Sequence, residues 1–201
     1  MTARPTKVRA LATGRPPSQL EAPWKPTKEQ VAAAGDLLIP DLLRAGLDVV
    51  FCGINPGLYS AAIGHNFGRP GNRFWPALYA SGFTPRLFSP FDDHLLPGLG
   101  FGMTNIVPRT TASADQLTTE EIRAGGAALR RKMLRYQPRY LAVLGISSYR
   151  VAFEREKATG GIQPETVGGT RIWVLPNPSG LNAHYQPDAL KQLFEELRAA
   201  L

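Results

Sequence analysis

Seven residues, Leu47-Asp48-Val49-Val50-Phe51-Cys52-Gly53, constrain the fold of this chain more than any other stretch. The run is short and β-rich, and it stops at once in Ile54-Asn55-Pro56-Gly57, a Gly/Asn/Pro loop. A run of this kind suits a strand buried on both faces, which is the habit of parallel sheets covered by helices. In open sheets of that type, ligands bind in the crevice beyond the carboxyl ends of the strands. The loop Gly53 to Gly57 therefore stands where function is expected.

Three further segments read as strands: Gly102 to Val107, Tyr140 to Gly145 and Thr170 to Pro176, the last leading into Asn177-Pro178-Ser179-Gly180. Helical signals fall between and around them. Thr27 with Gln30 makes a capping box ahead of Val31 to Ala34, and a short second helix is expected near Asp41-Leu42-Leu43. Arg73 to Tyr79 reads as a helix start, Thr118 with Glu121 caps a long basic helix to about Tyr136, and a closing helix runs from Pro187 to Leu201. Strands alternating with helices predict an α/β fold, a three-layer α/β/α sandwich around a mainly parallel sheet. With 201 residues, 43% of them hydrophobic and 19% charged, one domain is expected over residues 27–201. Residues 1–26 carry Arg4, Lys7, Arg9, Arg15 and Lys25 against Glu21 alone, among five prolines. That composition reads as a basic, flexible arm able to hold phosphates without reading bases, or as an inert solvated tail.

The formal net charge of +7 makes a polyanion the simplest partner, since net charge bears on association rather than on fold. No apolar run approaches the roughly 20 residues of a membrane span, so no membrane partner is expected. Cys52 is the single cysteine and lies in a strand, which excludes an internal disulfide and favours a buried structural thiol. His65, His94 and His184 lack ligand spacing, so neither a metal nor a cofactor is expected. With no apolar secretory segment at the N-terminus, a cytoplasmic location is expected.

The loops carry the chemistry. Asn55 offers an amide oxygen to orient a water and an NH2 to a base or sugar oxygen. It cannot act as a general base, because an amide does not ionise usefully near neutral pH. Equally, it suits a turn beside Pro56 and Gly57. In Gly64 to Trp75, Phe67 is flanked by polar and glycine residues and could stack on an extruded base, with Arg69 or Arg73 meeting phosphate; Phe74 and Trp75 read as core. Leu181, with Gly180 before it and Asn182 after it, is an apolar residue amid small and polar ones, suited to filling the hole left by an extruded base or to packing on the following helix. Asp92 and Asp93 form the one acidic pair in the loop expected between the first two strands. A carboxylate there could activate water, with Asp93 the leading auxiliary candidate, or could cap a helix or pair with His94.

Together, Gly53-Ile54-Asn55-Pro56-Gly57-Leu58, Asn72-Arg73-Phe74-Trp75, Ala124-Gly125-Gly126, Tyr136-Gln137-Pro138 and Ile172 to Leu181 resemble the mismatch-specific uracil/thymine DNA glycosylase family of the uracil-DNA glycosylase superfamily. The resemblance implies a uracil-DNA glycosylase-like fold and a monofunctional enzyme that hydrolyses the N-glycosidic bond of uracil mismatched with guanine in double-stranded DNA. Thymine and ethenocytosine stand beside uracil as bases such an enzyme could excise. The resemblance implies that Asn55 orients the hydrolytic water, that Phe67 stacks on the flipped base with Ile54 and Asn177 beside it, and that Gly180-Leu181 penetrates the helix. Asn177 to Leu181 resembles the uracil-mismatch branch, whereas Asp92 to Gly98 and Thr104-Asn105 resemble the thymine-acting branch. A monomer is the expected state. A noncatalytic sensor of flipped bases would keep Phe67 and Leu181 without needing Asn55, and a glycosylase for free nucleosides would need neither arm nor wedge.

Overall fold

The computed structural model describes residues 23–180 and 185–201. Most of the basic arm (1–22) and the wedge positions Leu181 and Asn182 lie outside the described residues. The sheet has five strands: β1 (Val49–Gly53), β2 (Phe101–Asn105), β3 (Tyr140–Leu144), β4 (Gly161–Val167) and β5 (Thr170–Leu175), in the order β2-β1-β3-β5-β4. The four expected strands run parallel, Val49 opposite Phe101 and Tyr140, and Tyr140 opposite Arg171. Every residue of β1, β2 and β3 is buried, as a sheet covered on both faces requires.

The helices supply that cover. They are α1 (Lys28–Ala32), α2 (Leu58–Ile63), α3 (Phe74–Ala80), α4 (Thr119–Tyr136), α5 (Ile146–Ala152) and α6 (Pro187–Ala199). Val49, Phe51, Met103, Ala142 and Leu144 pack on one face with Phe74 and Leu78 of α3 and with Leu190, Phe194 and Leu197 of α6. On the other face Val50, Cys52, Leu141, Val143 and Ile172 meet Leu129 and Met133 of α4 and Tyr149 of α5. This alternation of odd and even strand positions between two apolar layers is the expected three-layer sandwich. Burial of Cys52 pushes its thiol pKa up, as befits an inert core residue.

Both capping boxes form. The Thr27 hydroxyl accepts from Gln30 N while Gln30 Oε1 accepts from Thr27 N, and Thr118 and Glu121 repeat the exchange at the start of α4. Three expectations are corrected. Asp41 to Leu43 forms no helix: Leu42 exchanges backbone hydrogen bonds of 2.9 and 3.0 Å with Met103 on the open side of β2, and the bond to the sheet edge outweighs a weak local helical preference. The helix expected over Val31 to Ala34 is α1 followed by a 3-10 turn, Ala33–Asp36. Asp92 and Asp93 sit in a 3-10 segment, Pro90–Leu99, rather than in a plain loop. Strand β4 was not foreseen. It pairs antiparallel with β5 at the sheet edge, with a register shift between Ile162 and Thr166, around a proline that an edge strand alone tolerates.

Consecutive strands leave β1 in opposite directions, β2 on one side and β3 on the other. The carboxyl end of β1 is thus the switch point of the sheet, where a crevice opens between diverging loops. Among the described residues, no helix is long and apolar enough to cross a membrane.

Candidate active site

A cavity of about 690 Å³ opens at that switch point, lined by Ile54, Asn55, Asn66, Phe67, Arg69 and Asn105, with Thr111, Leu144, Asn177 and Val31 of α1 among the other walls. Of the residues singled out from sequence, it gathers Ile54, Asn55, Phe67, Arg69 and Asn177. Asp93, Arg73 and Gly180 lie outside its lining.

The loop holding Asn55 runs on past β1 fastened to the segment that follows β2. Ile106 N donates to Gly53 O, Val107 N to Ile54 O and Thr111 N to Pro56 O, at 2.9, 2.9 and 3.1 Å. Within this double track the Asn55 Nδ2 group donates to Arg109 O at 2.9 Å, to Thr111 Oγ1 at 2.7 Å and to Pro56 O at 3.2 Å. Two of those partners are backbone carbonyls, which can only accept, so the amide has one sensible orientation. The Thr111 hydroxyl donates its own hydrogen bond to Ser113 O at 2.8 Å, which commits its oxygen to accepting from Asn55. The NH2 end is therefore spoken for and the Oδ1 end is left to accept from a molecule in the cavity.

Phe67 has a φ of 54°, a left-handed backbone that a phenylalanine keeps only where its surroundings impose it. Its ring stacks on Phe74 with centroids 4.1 Å apart. Gly68 N, next along the chain, donates to Ser60 Oγ at 2.9 Å. Phe74 and Trp75 are buried in the core, as expected. At the base of the cavity Asn105 Nδ2 donates to Asn66 Oδ1 at 2.8 Å, both side chains being buried. This amide pair was not foreseen as a unit. Its one sequence signal was Thr104-Asn105, part of the likeness to the thymine-acting branch, and the pairing with Asn66, 39 positions away, exists only in the folded chain.

Gly53 has no room for a side chain. A Cβ there would stand 2.5 Å from Asn105 Oδ1 and 3.2 Å from Phe67 Cζ. Gly53→Ala must therefore displace two cavity walls, and activity on a cavity ligand should fall about 10-fold or more while the melting temperature changes little. Single-turnover kinetics beside thermal unfolding would check this; unchanged turnover would mean that the walls yield freely.

Asp93 is buried, and its carboxylate sits 2.8 Å from His65 Nδ1. The expected partner, His94, instead sets its Nδ1 3.0 Å from Phe91 O. Because His65 precedes Asn66 and Phe67, Asp93 reaches the cavity through that loop and not directly. Asp92 does cap: its carboxylate accepts from Ser89 N and Oγ and from Arg86. Partial burial alone would raise its pKa, but the Arg86 guanidinium and the Ser89 donors outweigh burial and hold it at about 2.

The loop after β5 is stitched to the segment between Phe67 and α3. Arg73 N donates to Pro178 O at 2.9 Å, and the Arg73 guanidinium donates to Tyr185 O and Gly180 O. Asn177 Oδ1 accepts from Ser179 N at 3.0 Å, a turn that shapes the loop from within. A Cβ on Gly180 would stand 2.4 Å from Gly71 O, so only glycine allows this approach. Arg73 thus braces the loop, whereas Arg69 lies exposed at the cavity rim. Among the described residues no three His, Cys, Asp or Glu side chains lie together as a metal site would need.

Residues 40–198 match the family model described as the uracil DNA glycosylase superfamily. Among solved structures, the fold is similar to the solution NMR structure of a candidate uracil DNA glycosylase from Methanosarcina acetivorans, with a TM-score of 0.53 over 81% of this chain and 98% of that one. At 18% identity that likeness is one of fold.

Proposed function

The chain belongs to the uracil DNA glycosylase superfamily, and we propose that within it the protein is a monofunctional glycosylase that removes uracil from mismatches with guanine in duplex DNA. The observation that carries this reading is the Asn55 amide, whose NH2 is held by three oxygens, which leaves its Oδ1 as the end able to accept. The extruded base stacks on Phe67, with Ile54 and Asn177 beside it. Asn55 Oδ1 accepts a hydrogen bond from a water and holds it against the anomeric carbon. The C1′–N1 bond breaks with its electron pair leaving on the base, an oxocarbenium-like sugar forms, and the water oxygen bonds to C1′ while its proton passes to the expelled base. Asn55 never takes that proton. Asp93 supports the reaction through His65 and the loop that carries Phe67, since its carboxylate is engaged there.

Mismatch preference rests on the loop from Asn177 to Asn182. Arg73 ties it to the start of α3, a rigid mount for Gly180 and Leu181 to enter the stack and for Asn182 to meet the opposite strand. Arg69 at the rim meets phosphate.

End-labelled duplexes carrying G·U, G·T, A·U or matched pairs, and the uracil single strand, should be incubated with the protein and then treated with alkali to break abasic sites. Strand breaks are expected first on G·U, with A·U and single strands slower. Binding without breaks on any substrate would leave a noncatalytic sensor, and equal rates on A·U and G·U would remove the mismatch preference. Leu181→Ala should slow the duplex reaction and spare the single strand; equal losses on both would count against a wedge.

A further inference from the structure

The strongest signal outside the cavity is an ion pair whose backbone, not its charge, touches the site. Arg109 lends its carbonyl oxygen to Asn55 Nδ2 at 2.9 Å. Its guanidinium points the other way, to the start of α4, where Nε and Nη2 donate to the two Glu121 oxygens at 2.6 and 3.0 Å and Nη2 also donates to Gln116 O at 3.0 Å. Glu121 is itself fixed as the third residue of the α4 capping box, accepting from Thr118 N at 2.8 Å. The hydrogen bonds from Arg109, first among the causes, hold its carboxyl pKa at about 2, so the pair is fully charged at neutral pH. Between β2 and α4 the chain has no regular structure except the 3-10 turn Ala114–Gln116. Backbone bonds fasten Val107 and Thr111, on either side of it, to the Asn55 loop; what they leave to be set at residue 109 itself is the direction of the carbonyl that meets Asn55.

We infer that Arg109, through its forked bond to Glu121, is a positioning residue for Asn55: it anchors the β2–α4 segment to the first turn of α4 and so sets the carbonyl that orients the water-holding amide. The inference rests on the role proposed for Asn55. A fork of two parallel charge-assisted bonds defines direction as well as distance, which a lysine could not reproduce. The pair is half exposed, with Arg109 at 48% and Glu121 at 32% side-chain accessibility. It adds little to stability on that account, and its use lies in geometry. A small displacement of a water-orienting group is costly, about 100-fold for roughly 1 Å.

An exposed arginine beside a nucleic-acid site has an obvious rival role, a direct phosphate contact. The two roles differ in what Glu121 does. If Arg109 acts on phosphate, Glu121 competes for it, and Glu121→Gln should leave the rate alone or raise it. If the pair is a clamp, Glu121→Gln should slow the reaction as Arg109→Ala does, while retaining one amide oxygen for the helix cap.

The test compares wild type, Arg109→Ala, Glu121→Gln and, as a surface control, Lys191→Ala, whose partner Glu195 lies within α6. Three quantities are read: the single-turnover rate on the G·U duplex, the dissociation constant for a duplex with a non-cleavable uracil analogue, and the exchange of the Asn55 side-chain NH2 protons in asparagine-labelled protein. Arg109→Ala should slow turnover by about 10- to 100-fold and Glu121→Gln by about 10-fold, with the dissociation constant within roughly threefold of wild type. Melting temperatures should fall by no more than about 3 °C, and the Asn55 NH2 protons should exchange faster in both variants. Lys191→Ala should match wild type throughout. Wild-type turnover in Arg109→Ala, a loss confined to the dissociation constant, a faster Glu121→Gln, or an unaltered Asn55 NH2 signal would each overturn the inference. If wild type itself cleaves no duplex, the proposed function fails and takes this role with it; if wild type cleaves and Arg109→Ala keeps pace, only the clamp fails.

Discussion

Asn55→Ala is expected to slow uracil release from a G·U duplex by about 10²- to 10³-fold, the usual cost of removing one preorganised hydrogen-bonding group from a reacting centre. Duplex affinity should change by less than about threefold, because affinity for nucleic acid comes chiefly from phosphate contacts that Asn55 does not make. Asn55→Asp should not restore the rate. A carboxylate at this position would set an acceptor against Arg109 O and Pro56 O, where the native NH2 donates to both. The aspartate must then rotate away or take up a proton. Single-turnover kinetics and equilibrium binding on the same duplex separate the two effects. Full turnover in Asn55→Ala would remove the water-holding role and with it the central step of the proposed mechanism.

The largest effect on stability is expected away from the cavity, at Gly126→Ala. A Cβ at Gly126 would stand 2.1 Å from Ala152 O and 2.8 Å from its carbonyl carbon, and one at neighbouring Gly125 would stand 2.4 Å from Ile106 O. In both cases the obstacle is backbone, which cannot swing aside as a side-chain tip can. The two glycines let α4 lie directly against the end of α5 and the segment after β2. Alanine is intrinsically the better helix former by about 1 kcal/mol, but forcing a methyl into a closed backbone contact costs about 3 kcal/mol. The net loss of about 2 kcal/mol should lower the melting temperature by roughly 4–8 °C for a domain of this size. Thermal unfolding followed by circular dichroism measures it directly. A melting temperature equal to or above that of wild type would show that α4 and α5 can part at little cost, and that the glycine pair serves another end.

Several site residues were legible because their signals are local. The strand Val49–Gly53 and the loop after it marked the end of the sheet where the cavity opens, and Asn55, Phe67 and Asn177 do meet around that cavity. Asp93 was legible as an acidic residue of interest but not as to its task. Its nearest histidine in the chain, His94, is not its partner, and the one it meets, His65, comes from 28 positions earlier. Arg73 stood out as a cation for phosphate, yet in the fold its guanidinium spans to carbonyls more than 100 positions away. A long flexible side chain carries no mark in sequence of whether it will serve water, phosphate or a loop.

The elements whose causes are near at hand were legible along the chain: four strands from short β-rich runs, two helix starts from capping boxes, and loops from glycine, proline and asparagine at strand ends. What those elements bring together was set by the chain crossings of the folded protein. The edge strand β4 exists because β5 offers it a ladder, against the preference of Pro164. The Asn66 and Asn105 pair exists because β2 lies beside β1. The orientation of the Asn55 amide depends on carbonyls contributed from as far as Arg109, 54 positions on. Propensity and capping act over a few residues, whereas the direction of a polar group is set by whichever donors and acceptors the chain crossings deliver to it. For this protein the layered α/β plan follows from the first kind of cause, and the edge strand and the polar contacts around the cavity from the second.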